Sequence, residues 1–377
     1  MTYRVLVSRT DRLGDVALTL PLCGLLKARR DTRVIFLARP YARDVLAASD
    51  AVDEIVVWDD DLSPDAARRR IAAARADAIV HVRPNASVAW AARAAGVPVR
   101  IGTSRRLSHW LTCNRREPLS RRTSSLHEAQ LNVRVARSLL DERALALAPA
   151  DLGDYGALTP RAPIPPALRP HFAPDRFTLV IHPGSGGSAT EWPLERYAAL
   201  VRSLPASRFR ILVTGSTAEA TMLRPWLAAQ PPHVHDVTGR TDVAGLIALL
   251  TAADGVVAAS TGPLHLAAAV GTRTLGLYSP RRPIHPGRWA PIGPRAEVLV
   301  ADVARDARGH EVGQPRDDAA SIPVARVLAR VEQWAAEARA ERSIRVTPPA
   351  NVLGMSGHVG TAPAPPAHHG DGGAWHG

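Results

Sequence analysis

Residues 254–278 read DGVVAASTGPLHLAAAVGTRTLGLY, and this stretch decides the fold. The apolar run Gly255–Ala259 has the length and bulk of a buried strand. It stops at Ser260-Thr261-Gly262. Pro263 suits the first turn of a helix, because its missing N–H would have no partner there anyway. Leu264, Leu266 and Ala267–Ala269 carry the helix to about Val270, and Gly271 ends it. A second apolar strand, Thr274–Tyr278, follows. Strand, tight turn, helix and strand in this order make one unit of a parallel sheet. The turn gathers backbone N–H groups, the Thr261 hydroxyl and the positive end of a helix dipole at one point. Such a point binds an anion, here read as the diphosphate of a nucleotide.

The same alternation extends in both directions. Upstream in the second half, Phe177–His182 and Arg208–Thr214 read as strands. Pro193–Leu204, Thr217–Ala229 and Val243–Ala253 read as helices. A short strand is expected near Val234–Val237 and a last one at Glu297–Ala301, with Ile322–Ala340 as a closing amphipathic helix. The first half repeats the theme. Strands are expected at Arg4–Val7, Arg33–Ala38, Glu54–Trp58, Asp77–Val82 and Val99–Ile101. Helices are expected at Val16–Ala28, kinked at Pro21, and at Pro40–Ala48, Pro64–Arg75, Asn85–Ala95 and 126–140. Seven prolines between 149 and 176 interrupt the period and read as a partly extended linker. The expected organisation is therefore a first α/β domain over 1–148, a linker over 149–176 and a second α/β domain over 177–345. A Pro-, Gly- and His-rich tail over 346–377 has too few apolar residues to order itself. Two doubly wound parallel sheets place a cleft between the carboxyl ends of their strands, where open α/β sheets bind ligands.

Composition bounds the function. The chain has 377 residues, enough for two domains, and 46% are hydrophobic, as in a globular protein. It holds no run of 18 apolar residues and no secretory leader pattern, so the expected compartment is cytoplasmic. Two cysteines, Cys23 and Cys113, make no disulfide framework and no metal motif. Tail histidines His358, His368, His369 and His376 are scattered, and no metal is expected. A net charge of +12 favours anionic partners, although an arginine-rich composition also accompanies a GC-rich genome.

Five further features carry chemistry. Gly184-Ser185-Gly186-Gly187-Ser188-Ala189 follows a strand and precedes a helix, and formally fits GxGxxA. The next strand ends in Val213-Thr214-Gly215, with no acid for a ribose hydroxyl, which argues against a dinucleotide site. The glycines still let backbone approach a phosphate, with a plain flexible loop as the alternative. Glu219 stands near a ribose or serves as a first-turn carboxylate of its helix. His265 is a ligand candidate or a structural side chain fixing the turn. Asp15, after Gly14 at a strand-to-helix turn, is a general base for an acceptor hydroxyl or a helix cap. Arg105, Arg106, Arg115 and Arg116 crowd one region with Arg100, Arg121 and Arg122 against a single Glu117. They fit an acidic acceptor or an anionic membrane surface better than nucleic acid, since only Trp110 is interleaved for stacking.

These blocks together resemble glycosyltransferase family 9, the heptosyltransferases of lipopolysaccharide assembly. The likeness rests on RVLVSRTDRLGDVALTLPL, FLARPYARDVL, IHPGSGGSATEWPLERYAAL, VTGSTAE, DVTGRTDVAGLIALLTAAD and ASTGPLHLAAAVGTRTLGLYSP. It implies a GT-B fold of two Rossmann-like domains, the donor nucleotide in the second and the acceptor in the first, with no metal or cofactor. By position, Asp15 looks like the family's catalytic base. Gly184–Gly187 with Ser185, and Thr261 with Gly262, look like the diphosphate cradle. Glu219 falls near the donor ribose, and His265 ends the TGxxH block. Two positions depart from the family. Thr190 stands where members often carry Lys, with Arg281 or Arg282 as a substitute cation. Ser260 stands where many carry Asp against the donor sugar. The implied activity is inverting transfer from a nucleotide sugar, ADP-heptose first, to an anionic glycolipid at the inner membrane's cytoplasmic face. A different nucleotide sugar, or a non-catalytic nucleotide-binding protein of the same fold, is the alternative.

Overall fold

The alternating pattern closes into two sheets of six parallel strands each. A computed structural model describes residues 2–29, 31–172, 175–187, 189–302 and 319–346. The first sheet comprises β1 (Tyr3–Ser8), β2 (Thr32–Ala38), β3 (Glu54–Val57), β4 (Ala78–His81), β5 (Val99–Thr103) and β6 (Arg115–Glu117), in the order β3-β2-β1-β4-β5-β6. The second comprises β7 (Phe177–His182), β8 (Phe209–Val213), β9 (Val234–Asp236), β10 (Gly255–Ala259), β11 (Arg273–Tyr278) and β12 (Ala296–Val300), in the order β12-β11-β10-β7-β8-β9. Every residue of β7, β10 and β11 is buried. Parallel strands covered on both faces need such unbroken apolar runs. Only β6 was absent from the sequence reading, because Arg115-Arg116-Glu117 offers no apolar period to an edge strand.

Chain order reverses between β1 and β4 in one sheet and between β7 and β10 in the other. These are the switch points at which helices on either side leave a crevice open. In each sheet the paired central strands are in register, Val5 beside Ala78 and Val256 beside Val180.

The expected Val16–Ala28 helix is two helices, Leu13–Ala17 and Leu20–Lys27. The break comes at Leu18-Thr19, where Asn132 Nδ2 donates to the Leu18 carbonyl at 2.8 Å. Pro21 then sits in the first turn of the second helix and kinks nothing.

The Pro-rich stretch is packed rather than extended. It forms short 3-10 helices at Asp151–Tyr155 and Pro166–Phe172 and buries Leu152, Leu158 and Leu168. Its Leu158 N–H donates to the Ala269 carbonyl and its Thr159 N–H to the Ala48 carbonyl. One apolar cluster thus runs from Val5 and Val16 through Leu152 and Leu168 to Val256 and Leu266. Residues Met1–Ala338 form one compact unit. A second unit, Arg339–Gly377, is described only for the last turns of the Val324–Val346 helix. The expected tail, except for Val346 at the end of that helix, lies outside the described residues with its four histidines. Cys23 and Cys113 are buried free thiols. No helix among the described residues is long and apolar enough to cross a membrane.

Candidate active site in the cleft

The carboxyl ends of β1, β4, β7 and β10 open onto one cleft of about 1810 Å³. That exceeds the roughly 300–1,000 Å³ of an ordinary small-molecule pocket, so it has room for two substrates. Thr10–Asp15 line it after β1, Arg83–Asn85 after β4, His182, Ser185 and Gly186 after β7, and Ser260–Pro263 after β10.

At its centre two helices meet. Leu13–Ala17 carries Asp15, and Gly262–Ala269 begins at the Thr261 turn. A Cβ built on Gly14 would lie 2.8 Å from His265 Cδ2, and one on Gly262 would lie 3.2 Å from Leu13 Cβ. Absent side chains at 14 and 262 are therefore what allow the two helices to touch. The Gly262–Ala269 helix has Thr261 as its N-cap with no side-chain cap bond, which leaves its first N–H groups open. The Thr261 hydroxyl and His265 Nδ1 are both buried without a hydrogen-bond partner. Unpaired buried polar atoms are costly, and both residues line the cleft. Burial, with His127 nearby, pushes His265 down to about 3, so its imidazole is neutral and no proton donor at neutral pH.

Asp15 lies in the first turn of its helix and caps nothing. Its carboxylate pairs instead with Arg9. Arg9 is only 3% exposed and binds four partners. Besides Asp15 it reaches Asp11 Oδ1 at 2.6 Å, Glu128 Oε1 at 2.9 Å and Asn132 Oδ1 at 3.0 Å. Glu128, at the start of the Glu128–Val135 helix, also accepts from Arg121 Nε at 2.9 Å and pairs with Arg288 Nη2 at 2.5 Å. Arg288 belongs to the second half, so this chain of charges joins the halves behind Asp15. The His127 ring adds a bond to the Ala290 carbonyl at 2.9 Å. Burial raises Asp15 to about 6 against the pull of Arg9, with Asp11 and Glu128 raising it further. Burial also acts to raise Glu128, but Arg9, Arg121 and Arg288 outweigh it and hold Glu128 near 2. The result is one ionised carboxylate behind one whose titration near 6 suits proton exchange at physiological pH.

Other candidates fall less evenly. Glu219 closes a capping box: its Oε2 accepts from Ser216 N at 2.7 Å and Ser216 Oγ at 2.8 Å. It also lines the cleft beside Gly184, whose Cβ would meet Glu219 Oε1 at 2.1 Å. Gly186 and Gly187 have positive φ of 53° and 74°, as the tight loop requires. Ser185 N donates to Glu191 Oε1 at 2.6 Å, so a carboxylate occupies one N–H of the 184–187 loop. Ser185 and Gly186 line the cleft, while Gly184 and Gly187 stand behind them. Ser260 hydrogen-bonds Tyr278. Arg282 lines the cleft and Arg281 does not. Of Arg105, Arg106, Arg115 and Arg116, only Arg106 reaches the cleft; Arg116 instead donates to the Cys113 carbonyl at 2.9 Å. The sequence reading missed Arg9, Asp11, Glu128 and Arg288, whose pairing across the chain has no local pattern. Among the described residues no group of three His, Cys, Asp or Glu side chains could hold a metal.

Comparisons with known proteins identify the fold and the family. A family model, glycosyltransferase family 9 (heptosyltransferase), matches residues 65–312, more than half of the chain. A Haemophilus influenzae protein named as a candidate glycosyltransferase is 26% identical over 305 residues, covering 77% of this chain and 86% of its own. The glycosyl transferase family 9 structure from Veillonella parvula aligns with a TM-score of 0.72 at 19% identity, over 89% of this chain and 98% of its own. The E. coli ADP-heptose lipopolysaccharide heptosyltransferase II aligns with a TM-score of 0.69 at 18% identity, over 89% and 99%. The two-sheet architecture is the GT-B fold of these transferases. With its sheets, its cleft and its family match in agreement, the chain belongs to glycosyltransferase family 9.

Proposed function

We propose that the protein transfers a heptose from ADP-heptose to a lipopolysaccharide core or related anionic glycan, with inversion at the anomeric carbon. The observation that supports this reading is the contact of the Asp15 helix with the uncapped terminus at Thr261-Gly262, which brings a carboxylate and unpaired helix N–H groups to one place. In the proposed step Asp15 takes the proton of an acceptor hydroxyl. The freed oxygen forms its bond to the anomeric carbon as the bond to the diphosphate breaks on the opposite face, and ADP leaves with the electron pair. The N–H groups of Gly262 and Gly186, the Thr261 hydroxyl and Arg282 meet the departing charge, without a metal. Glu219 faces the donor ribose. Arg106 and its neighbours Arg83 and Arg122 meet the acidic acceptor. Such an acceptor is anchored in a bilayer, so the protein is expected to work at a membrane's cytoplasmic face.

The test is ADP release from ADP-heptose with a purified core acceptor, for wild type and Asp15→Asn. Turnover by the wild type and its loss in the variant support the reading. A wild type that binds ADP yet turns over no nucleotide sugar sinks it. That result would favour a non-catalytic nucleotide-binding protein, a reading for which Glu191 on the Ser185 N–H is the specific observation. Turnover with a nucleotide sugar other than ADP-heptose would keep the transfer chemistry and replace the donor.

A further inference from the structure

Six large apolar side chains are exposed among the described residues, and four of them share one place. Trp90 lies on the Ala86–Ala94 helix, 47% exposed. Leu107 (76%), Trp110 (55%) and Leu111 (49%) lie on the Leu107–Thr112 helix, which packs against it. Arg93 stitches the two helices, its guanidinium over the Trp90 ring and bonded to the Leu111 carbonyl. Arg116 lies 4.4 Å over the Trp110 ring, whose Nε1 is anchored on the Ser104 carbonyl at 2.7 Å. The indole is thus held outward instead of folding onto the protein. Arg105, Arg106 and Arg115 are exposed around the patch, and between 86 and 122 the only acid is Glu117.

A cluster of exposed apolar side chains marks an interaction surface. Its chemistry selects the partner. Tryptophans with polar tips and arginines with apolar stems suit the boundary between water and acyl chains. A rim of nearly one sign suits anionic headgroups. Arg106 joins this rim to the cleft, so the surface lies at the mouth through which an acceptor enters. We infer that the Trp90–Leu107–Trp110–Leu111 patch with its arginine rim docks on an anionic lipid bilayer and brings lipid-anchored acceptors to the cleft. The docking stands on the patch alone, while the delivery of acceptors rests on the transfer reading above.

The experiment is sedimentation of the full chain with vesicles of phosphatidylcholine, with and without phosphatidylglycerol. The variants are Leu107→Asp/Trp110→Ser and Arg105→Glu/Arg115→Glu. All four positions are exposed, and unchanged melting and ADP binding confirm folding. The wild type is expected to bind anionic vesicles at least ~10-fold better than neutral ones, and to lose most of that preference near 0.5 M salt. Each double variant is expected to bind ~10-fold less. Equal binding of wild type to both vesicle types, or wild-type binding by both variants, overturns the inference. So does a wild-type dimer that the apolar variant dissociates while vesicle binding stays the same, since the patch would then face a second copy. Vesicle binding without any transfer would leave the surface standing and sink the transfer reading. Transfer to a soluble acceptor without vesicle binding would do the reverse.

Discussion

Replacing Glu128 with Gln tests the charge network behind the proposed base. The change keeps the shape of the side chain and removes one negative charge from among Arg9, Arg121 and Arg288. Glu128 is fully buried, so water cannot replace what is lost. The network holds its carboxyl down from 4.5 to about 2 in spite of burial. At about 1.4 kcal/mol per unit, that displacement corresponds to roughly 3 kcal/mol. The figure agrees with the ~3–5 kcal/mol typical of breaking a buried ion pair. Because the folded value is depressed, this stability is present above pH ~4.5 and is lost as pH falls toward 2. Urea unfolding at pH 7 should therefore show the variant less stable by about 3 kcal/mol. Between pH 4.5 and 2 wild type should lose that advantage, and the two proteins should converge. A second readout concerns Asp15. Glu128 raises Asp15, so its neutralisation should shift the acid limb of kcat/KM to lower pH. A variant as stable as wild type at pH 7, with its acid limb unmoved, would refute the account of Glu128 as the anchor of the site.

Three further substitutions test the same geometry. Asp15→Asn should lower kcat by ~10²–10⁴-fold with little change in ADP affinity, and wild-type kcat/KM should fall below about pH 6. Because burial raises Asp15, its ionisation costs stability as pH rises through about 6, so the Asn variant should melt no lower than wild type at pH 8. Gly14→Ala places a methyl 2.8 Å from His265 Cδ2 and should cost ~1–3 kcal/mol in denaturant titration and ~10²-fold in turnover, through displacement of Asp15. Thr261→Val deletes an unpartnered buried hydroxyl, so melting should hold or rise while calorimetry shows ADP affinity falling ~10-fold; an unchanged affinity would remove Thr261 from the diphosphate site.

The parts of this molecule that could be read in the sequence are those whose cause is local. The buried strands announce themselves as apolar runs, and Thr261-Gly262-Pro263 announces a strand-to-helix turn. Asp15 was visible for the same reason, since it follows such a turn. Its environment was not. Arg9 reads as one polar residue in a polar turn, yet it is buried against Glu128, 119 positions away. A pairing of that kind depends on which surfaces the fold brings together, and no spacing encodes it. The arginine cluster was legible as a charged surface for an acidic acceptor or an anionic membrane, but its placement was not: of Arg105, Arg106, Arg115 and Arg116 only Arg106 lines the cleft. The prolines of 149–176 read as a spacer because their period is broken, but Leu152, Leu158 and Leu168 are enough to fasten that stretch to the core.

The meeting of the Leu13–Ala17 and Gly262–Ala269 helices also limits how such a chain can diverge. A side chain acquired at position 14 collides with His265, and one at 262 presses on Leu13. Drift at any of these positions needs a matching change at its partner, in the other half of the sequence. The group should therefore pass through descent as a single inherited character, while the edge strands and exposed helices around it vary one residue at a time.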